Sequence, residues 1–160
     1  MKKDYSFSLD IYKGAEELNE EDASLLSKAQ AATGNAYAPY SDFLVGAAAR
    51  MANGAFITGT NQENASYPIG ICAERVLLST ASSIYPNIPI AAIAVSYNNL
   101  HGKSDHPIAP CGICRQSLQE YEERMNLPIR LILGGREGEI YILERASVLL
   151  PLAFTKNEFK

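Results

Sequence analysis

Two short stretches of this chain carry residue types that can do chemistry together: Cys72-Ala-Glu-Arg75 and Pro110-Cys-Gly-Ile-Cys114. They contain all three cysteines of the 160 residues. An odd count cannot complete a disulfide framework, and a Cys-x-x-Cys pair in an unexported chain points to metal or thiol chemistry. Each stretch is predicted to open a helix, where unsatisfied backbone N–H groups and the positive end of the dipole favour thiolate. Cys72, Cys111 and Cys114 could therefore converge on one Zn²⁺ and leave its fourth tetrahedral position for water, the arrangement of a catalytic site. Glu74 stands too near Cys72 for both side chains to be comfortable ligands, so its natural role is proton transfer beside the metal. Arg75 could donate to the cysteine sulfurs and offset the excess negative charge of three thiolates around a divalent ion.

Plainer readings compete. A lone Cys-x-x-Cys is more often half of a structural zinc site or a redox pair. A redox pair has no use for Cys72 and Glu74, and a closed structural site needs a fourth ligand, for which His101 and His106 are the only histidines. His106, five residues before Cys111, is the stronger competitor.

The elements must bring Cys72 to a pair of cysteines far away in sequence. A helix is predicted over 22–33, with Leu25, Leu26 and Ala29 on one face, acidic residues at its start and Gly34 as its stop. Strands over 45–51 and 55–60 flank Asn53-Gly54, the strongest hairpin signal in the chain. A helix over 72–83 is expected to turn Val76, Leu77 and Thr80 inward, and a second over 111–125 presents Ile113, Leu118 and Tyr121. Short apolar runs at 90–95 and 129–133 read as buried strands, 98–110 as a polar loop, 139–143 as a further strand and 146–150 as a short terminal helix. Tyr5, Phe7, Leu9 and Ile11 alternate with polar neighbours in a strand-like period. Strand-helix alternation on a hairpin implies a mixed sheet with helices packed on its faces, because parallel neighbours need crossover helices. Adjacent crossover helices begin at the same sheet edge, which allows the cysteines to meet.

Composition fits one globular domain, with 47% hydrophobic and 20% charged residues. A net charge of -4 and a pI near 5.2 give no electrostatic footprint for a polymeric nucleic acid or an anionic membrane. The long uncharged stretch 76–102 is broken by Pro86 and Pro89 and is no membrane span, and the first ten residues lack an apolar signal segment, so a cytoplasmic location is expected.

Beyond the cysteines, Asn35-Ala-Tyr-Ala-Pro-Tyr-Ser-Asp-Phe43, Val45-Gly-Ala-Ala48, Thr60-Asn-Gln-Glu-Asn-Ala-Ser-Tyr67 and Pro110-Cys-Gly-Ile-Cys-Arg-Gln116 stand in an order and spacing that resembles the small zinc-dependent cytidine deaminases. The resemblance runs from about residue 23 to residue 154. It implies an α/β fold, a three-layer α-β-α sandwich around a mixed five-stranded sheet, in one domain over 21–160 behind an extension over 1–20. It also implies one Zn²⁺ per chain on Cys72, Cys111 and Cys114, proton shuttling by Glu74, and hydrolytic deamination of cytidine, with deoxycytidine as a second substrate. By the same resemblance Phe43 packs on the pyrimidine, Asn61 and Glu63 bind the ribose, and the Ala73 backbone meets the base. The expected assembly is a homotetramer whose sites are shared, with Phe154 reaching a neighbour's site. Leu152 stands where the family more often has glycine, which weakens that last correspondence. Deamination of another aminopyrimidine nucleoside, of blasticidin-like type, and a non-catalytic zinc module remain the alternatives.

Overall fold

Asn53-Gly54 folds the hairpin on which the sheet is built. In the computed structural model, which describes residues 1–159, Gly54 takes φ +84°, a conformation that glycine adopts without steric cost. The hairpin joins β2 (Phe43–Met51) to β3 (Phe56–Thr60), and the two pair antiparallel from Gly46↔Thr60 to Arg50↔Phe56. The remaining elements in chain order are β1 (Asp10–Tyr12), α1 (Glu20–Ala32), α2 (Ala73–Ile84), β4 (Ile90–Asn99), α3 (Gly112–Met125), β5 (Arg130–Gly134) and β6 (Ile140–Leu143). A 3₁₀ turn at Ala146–Leu149 replaces the short terminal helix expected there.

The sheet order is β1-β6-β5-β4-β2-β3. Only β4 and β5 are neighbouring parallel strands, connected by α3; β2 is antiparallel to both β3 and β4, so these two also run the same way, connected by α2. Both crossover helices consequently start at one edge of the sheet. α2 and α3 cover one face, where Ala47, Ala49, Leu77, Ala81, Ile93, Val95, Leu118 and Leu131 are buried together. α1 covers the other, packing Leu25, Leu26 and Ala29 against Ala48, Ala92, Ala94 and Ile132. This is the expected three-layer α-β-α sandwich.

The sheet has six strands where five were expected. The sixth is β1, which pairs antiparallel with β6 from Asp10↔Ile142 to Tyr12↔Ile140 and covers an edge that would otherwise present unpaired backbone groups. Part of the expected extension, residues 9–18, thus enters the architecture, and Leu9, Tyr12 and Leu18 pack against the two cores. β4 runs to Asn99, past the expected end at 95, because β2 pairs with it as far as Phe43↔Asn99.

Two helix faces also differ from expectation. α2 buries Ala73, Glu74, Leu77, Leu78 and Ala81, leaving Val76 and Thr80 half-buried, and α3 buries Cys114, Leu118 and Tyr121 while Ile113 is 63% exposed. The buried positions recur at intervals of three and four; Val76 and Ile113 lie one residue, about 100° of helix rotation, from the buried Leu77 and Cys114, while Thr80, seven residues from Ala73, sits at the margin of the stripe.

Candidate active site

Cys72 and Cys111 are the N-cap residues of α2 and α3, both in extended backbone conformation and neither bonding its side chain back to its own helix. Their sulfurs are therefore free to point at each other across the sheet edge. Cys72 Sγ lies 3.7 Å from Cys111 Sγ, and Cys111 Sγ lies 3.6 Å from Cys114 Sγ. All three sulfurs fall within 4.8 Å of one another, the only such group of metal-ligating side chains among the described residues. A tetrahedral zinc with bonds of about 2.3 Å sets its sulfurs roughly 3.8 Å apart, so the donor set fits the ion.

Electrostatics agrees with that fit. The Cys72 thiol is pulled down to about 6, first by hydrogen bonding from Cys114, with Cys111 adding to the effect and burial opposing it. The Cys114 thiol is pushed far up by Cys72 and by burial. Opposite shifts of this kind mark sulfurs packed closely enough for a charge on one to oppose a charge on the next. Among the described residues no fourth protein ligand joins the three sulfurs, which leaves a coordination position free for water.

His106 does not close it. Its Nδ1 meets the Tyr97 hydroxyl at 3.1 Å and Asp105 Oδ1 at 3.2 Å, while His101 Nε2 pairs with Asp42 Oδ2 at 2.7 Å.

Glu74, the second residue of α2, is 5% exposed and lines the same cavity as Cys72 and Cys111. Burial pushes its carboxyl up, with Cys114 pulling the other way. The cavity, about 210 Å³, is bounded by Val45, Asn61, Cys72, Ala73, Glu74, Ile108, Ala109 and Cys111. A second cavity of about 250 Å³ shares Asn61 and Cys72 with it and extends to Glu63, Asn64, Tyr67 and Ile71. Asn61 and Cys72 thus line both cavities, so the two lie side by side.

Asn61 accepts from the Val45 N–H and donates to the Phe43 carbonyl, each at 2.8 Å, fastening the end of β2. That leaves one N–H and one lone pair of its amide unused by these bonds. Glu63 accepts from the Tyr40 N–H at 2.9 Å, the Ser41 N–H at 3.3 Å and the Ser41 hydroxyl. The hydroxyl bond leads in holding its carboxyl below the usual range. Phe43 stands one pleat repeat from Val45, with its ring stacked on Tyr97.

Arg75 is half-buried and faces a groove between α2 and α3 with Ser79, Ser82, Ser117 and Arg124. Among the described residues no hydrogen bond joins it to a cysteine sulfur, contrary to the expectation from sequence; its charge adds only to the lowering at Cys72. Phe154 is 60% exposed, far from lining the chain's own cavity; its carbonyl accepts from Gln116 at 2.8 Å and its ring meets Phe159 edge-on.

Sequence reasoning did not single out Ile108 and Ala109 as cavity wall, nor Arg115, which donates to the Pro110 carbonyl at 2.7 Å and the Leu149 carbonyl at 3.1 Å. The loop residues carry no periodicity to mark them. Arg115 had one signal, its place within the second cysteine stretch.

Comparison with known proteins meets this geometry. The family described as "Cytidine and deoxycytidylate deaminase zinc-binding region" matches residues 19–127. A cytidine deaminase from Halalkalibacterium halodurans is 40% identical over 134 residues, covering 84% of this chain and 94% of that protein. One from Sporosarcina psychrophila is 35% identical over 136 residues, with 84% and 91% covered. The crystal structure of cytidine deaminase from Burkholderia pseudomallei superposes with a TM-score of 0.72 at 38% identity, covering 86% of this chain and all of that one. With its cysteines on two helix starts, its buried glutamate and these relatives, the chain belongs to the zinc-binding cytidine and deoxycytidylate deaminase family.

Proposed function

We propose that this protein is a zinc-dependent deaminase that converts cytidine, and deoxycytidine, to the uracil nucleoside and ammonia. The observation that carries the reading is the buried carboxyl of Glu74 sharing one cavity with Cys72 and Cys111. Zinc held by Cys72, Cys111 and Cys114 supplies, when bound, a Lewis acid that makes water nucleophilic near neutral pH. Glu74 takes a proton from the attacking water and delivers it to N3 of the ring as oxygen bonds to C4. It then moves the remaining hydroxyl proton to the amino group, the C4–N bond breaks, and ammonia leaves a C4 carbonyl. A raised pKa suits a carboxyl that must both accept and return protons.

Phe43 packs on the pyrimidine and the Ala73 backbone meets the base. Asn61 and Glu63 hold the ribose, a reading supported by Asn61 lining both cavities and Glu63 lining the second. Arg75 steadies the thiolates through its charge. The protein works in the cytoplasm, where thiols stay reduced. It assembles as a homotetramer in which Phe154 enters a neighbour's site; the exposure of Tyr67, Ile69, Ile113 and Phe154 supports apolar contact with further copies.

The test is ammonia release from zinc-loaded protein. Cytidine is expected to turn over and cytosine alone to fail, because a site built for ribose hydroxyls is left with unpaired polar groups when they are missing. Zinc-replete protein inert toward cytidine yet active on a blasticidin-like nucleoside would replace the assignment, although the relatives do not favour that substrate.

A further inference from the structure

The loop over 98–110 runs beside the cavity and is fastened along its length. Asn99 donates its N–H to the Ser104 hydroxyl at 2.9 Å, and the Ser104 carbonyl accepts from Arg136 at 2.7 Å and Glu137 at 3.3 Å. The turn that receives it depends on glycine: a Cβ at Gly135 or Gly138 would run into the carbonyls of Ser104 and Asp105. On the other flank the Leu100 N–H reaches the Asp42 carbonyl at 3.1 Å. The loop is a built wall.

The tie that faces the site is made by Tyr97. It stands opposite Val45 across the β2–β4 ladder, so its side chain shares the sheet face on which Val45 lines the cavity. Tyr97 is 1% exposed, and both parts of its side chain are engaged. Its ring stacks on Phe43 with centroids 4.9 Å apart and planes at 17°. Its hydroxyl meets His106 Nδ1 at 3.1 Å, and the His106 ring stands edge-on to it at 5.7 Å. Shortly beyond His106 come Ile108 and Ala109, which form part of the cavity wall.

We propose that Tyr97 is a positioning residue for pyrimidine recognition, its ring fixing the plane of Phe43 and its hydroxyl, through His106, fixing the wall at Ile108 and Ala109. The inference rests on the cytidine deaminase reading above. The χ2 torsion of phenylalanine is soft, so Phe43 without a stacking partner samples many ring planes. A wall segment released from His106 likewise loses its set distance from the base. Neither change touches the sulfurs or Glu74. Contacts to the ring that are similar before and during the reaction shift KM and leave kcat nearly constant.

Tyr97→Phe keeps the stack and removes the hydroxyl, while His106→Ala removes the partner at an exposed position. Each is expected to raise the KM for cytidine about two- to tenfold, the span of one hydrogen bond, with kcat within about twofold of the parent. Because both changes break the same bond, the double variant should be no worse than either alone. Tyr97→Leu removes the ring as well and should raise KM further, after which Phe43→Leu adds little. Parental KM in the single variants, effects that multiply in the double variant, or losses confined to kcat would overturn the inference. If Tyr97→Leu does not fold, the Tyr97→Phe and His106→Ala cycle decides by itself. A parent that deaminates no cytidine overturns the functional reading and this inference with it; an active parent with multiplying effects overturns this inference alone.

Discussion

Glu74 occupies the one position where helix geometry, burial and chemistry reinforce each other. As the second residue of α2 it inherits a place beside Cys72 without competing as a ligand, and its carboxyl is pushed up by burial. Replacing it separates metal binding from proton transfer. Glu74→Ala is expected to keep its zinc and its fold while kcat falls by at least about 10⁴, the upper end for a general acid–base group, since one residue serves several transfers. Metal analysis and ammonia release measure the two halves of that statement. If the carboxylate only complemented the helix dipole, it would contribute about 0.3–1 kcal/mol of stability and nothing to turnover. A zinc-replete variant within about tenfold of the parent would establish that lesser role.

At the scale of elements, the site depends on how closely α2 lies on the hairpin. Gly59 permits this: a Cβ there would sit 2.5 Å from both the Ala73 carbonyl oxygen and the Leu77 nitrogen, so any side chain pushes the helix off the sheet. Gly46 does the same for α1 on the opposite face, where a Cβ would strike the Ala29 carbonyl. The pair offers an internal control. Gly59→Ala and Gly46→Ala should each lower stability by about 1–3 kcal/mol in urea unfolding, the usual range for overpacking. Only Gly59→Ala should also weaken zinc retention against a chelator, because α2 carries Cys72 at its start and α1 carries no ligand. Equal zinc loss from both variants would mean that the site responds to global loosening instead of to the seat of α2.

The whole molecule presents a surface that one chain does not cover. Leu152 and Phe159 are 83% and 78% exposed, and Tyr67 in the turn before α2 is 83% exposed. Light scattering is expected to give four times the 17.4 kDa of one chain. A fully active monomer would defeat the shared-site proposal. Complementation tests it more directly: Glu74→Ala and Phe154→Ala chains, each impaired, are mixed and refolded together. If Phe154 works in a neighbour's site, some mixed sites regain an intact pair and activity rises above that of either parent. If it served its own chain, no site in the mixture would contain both residues.

The cluster of three cysteines, the glutamate buried beside it and the sandwich were legible in the sequence because each leaves a local mark. Thiol chemistry is confined to three cysteines, helix starts have capping and dipole signatures, and Asn53-Gly54 announces its hairpin. The crossover rule then placed both cysteine-bearing helix starts at one edge of the sheet, as the parallel course of β3, β4 and β5 bears out. What tertiary structure decided has no local mark. Whether β1 joins the sheet depends on the free edge of β6, which lies more than a hundred residues away along the chain. Which stripe of α3 is buried depends on the sheet beneath it, so Ile113, as apolar as the buried Leu118, faces outward at 63% exposure. His106 as a metal ligand and His106 as a partner of Tyr97 are equally consistent with a histidine five residues before a cysteine. The choice falls to Tyr97 because β4 extends far enough to present its hydroxyl there, and that length is set by pairing with β2. Short-range propensity and residue chemistry are written in the chain one segment at a time, whereas edges, faces and side-chain partners exist only once distant segments have packed.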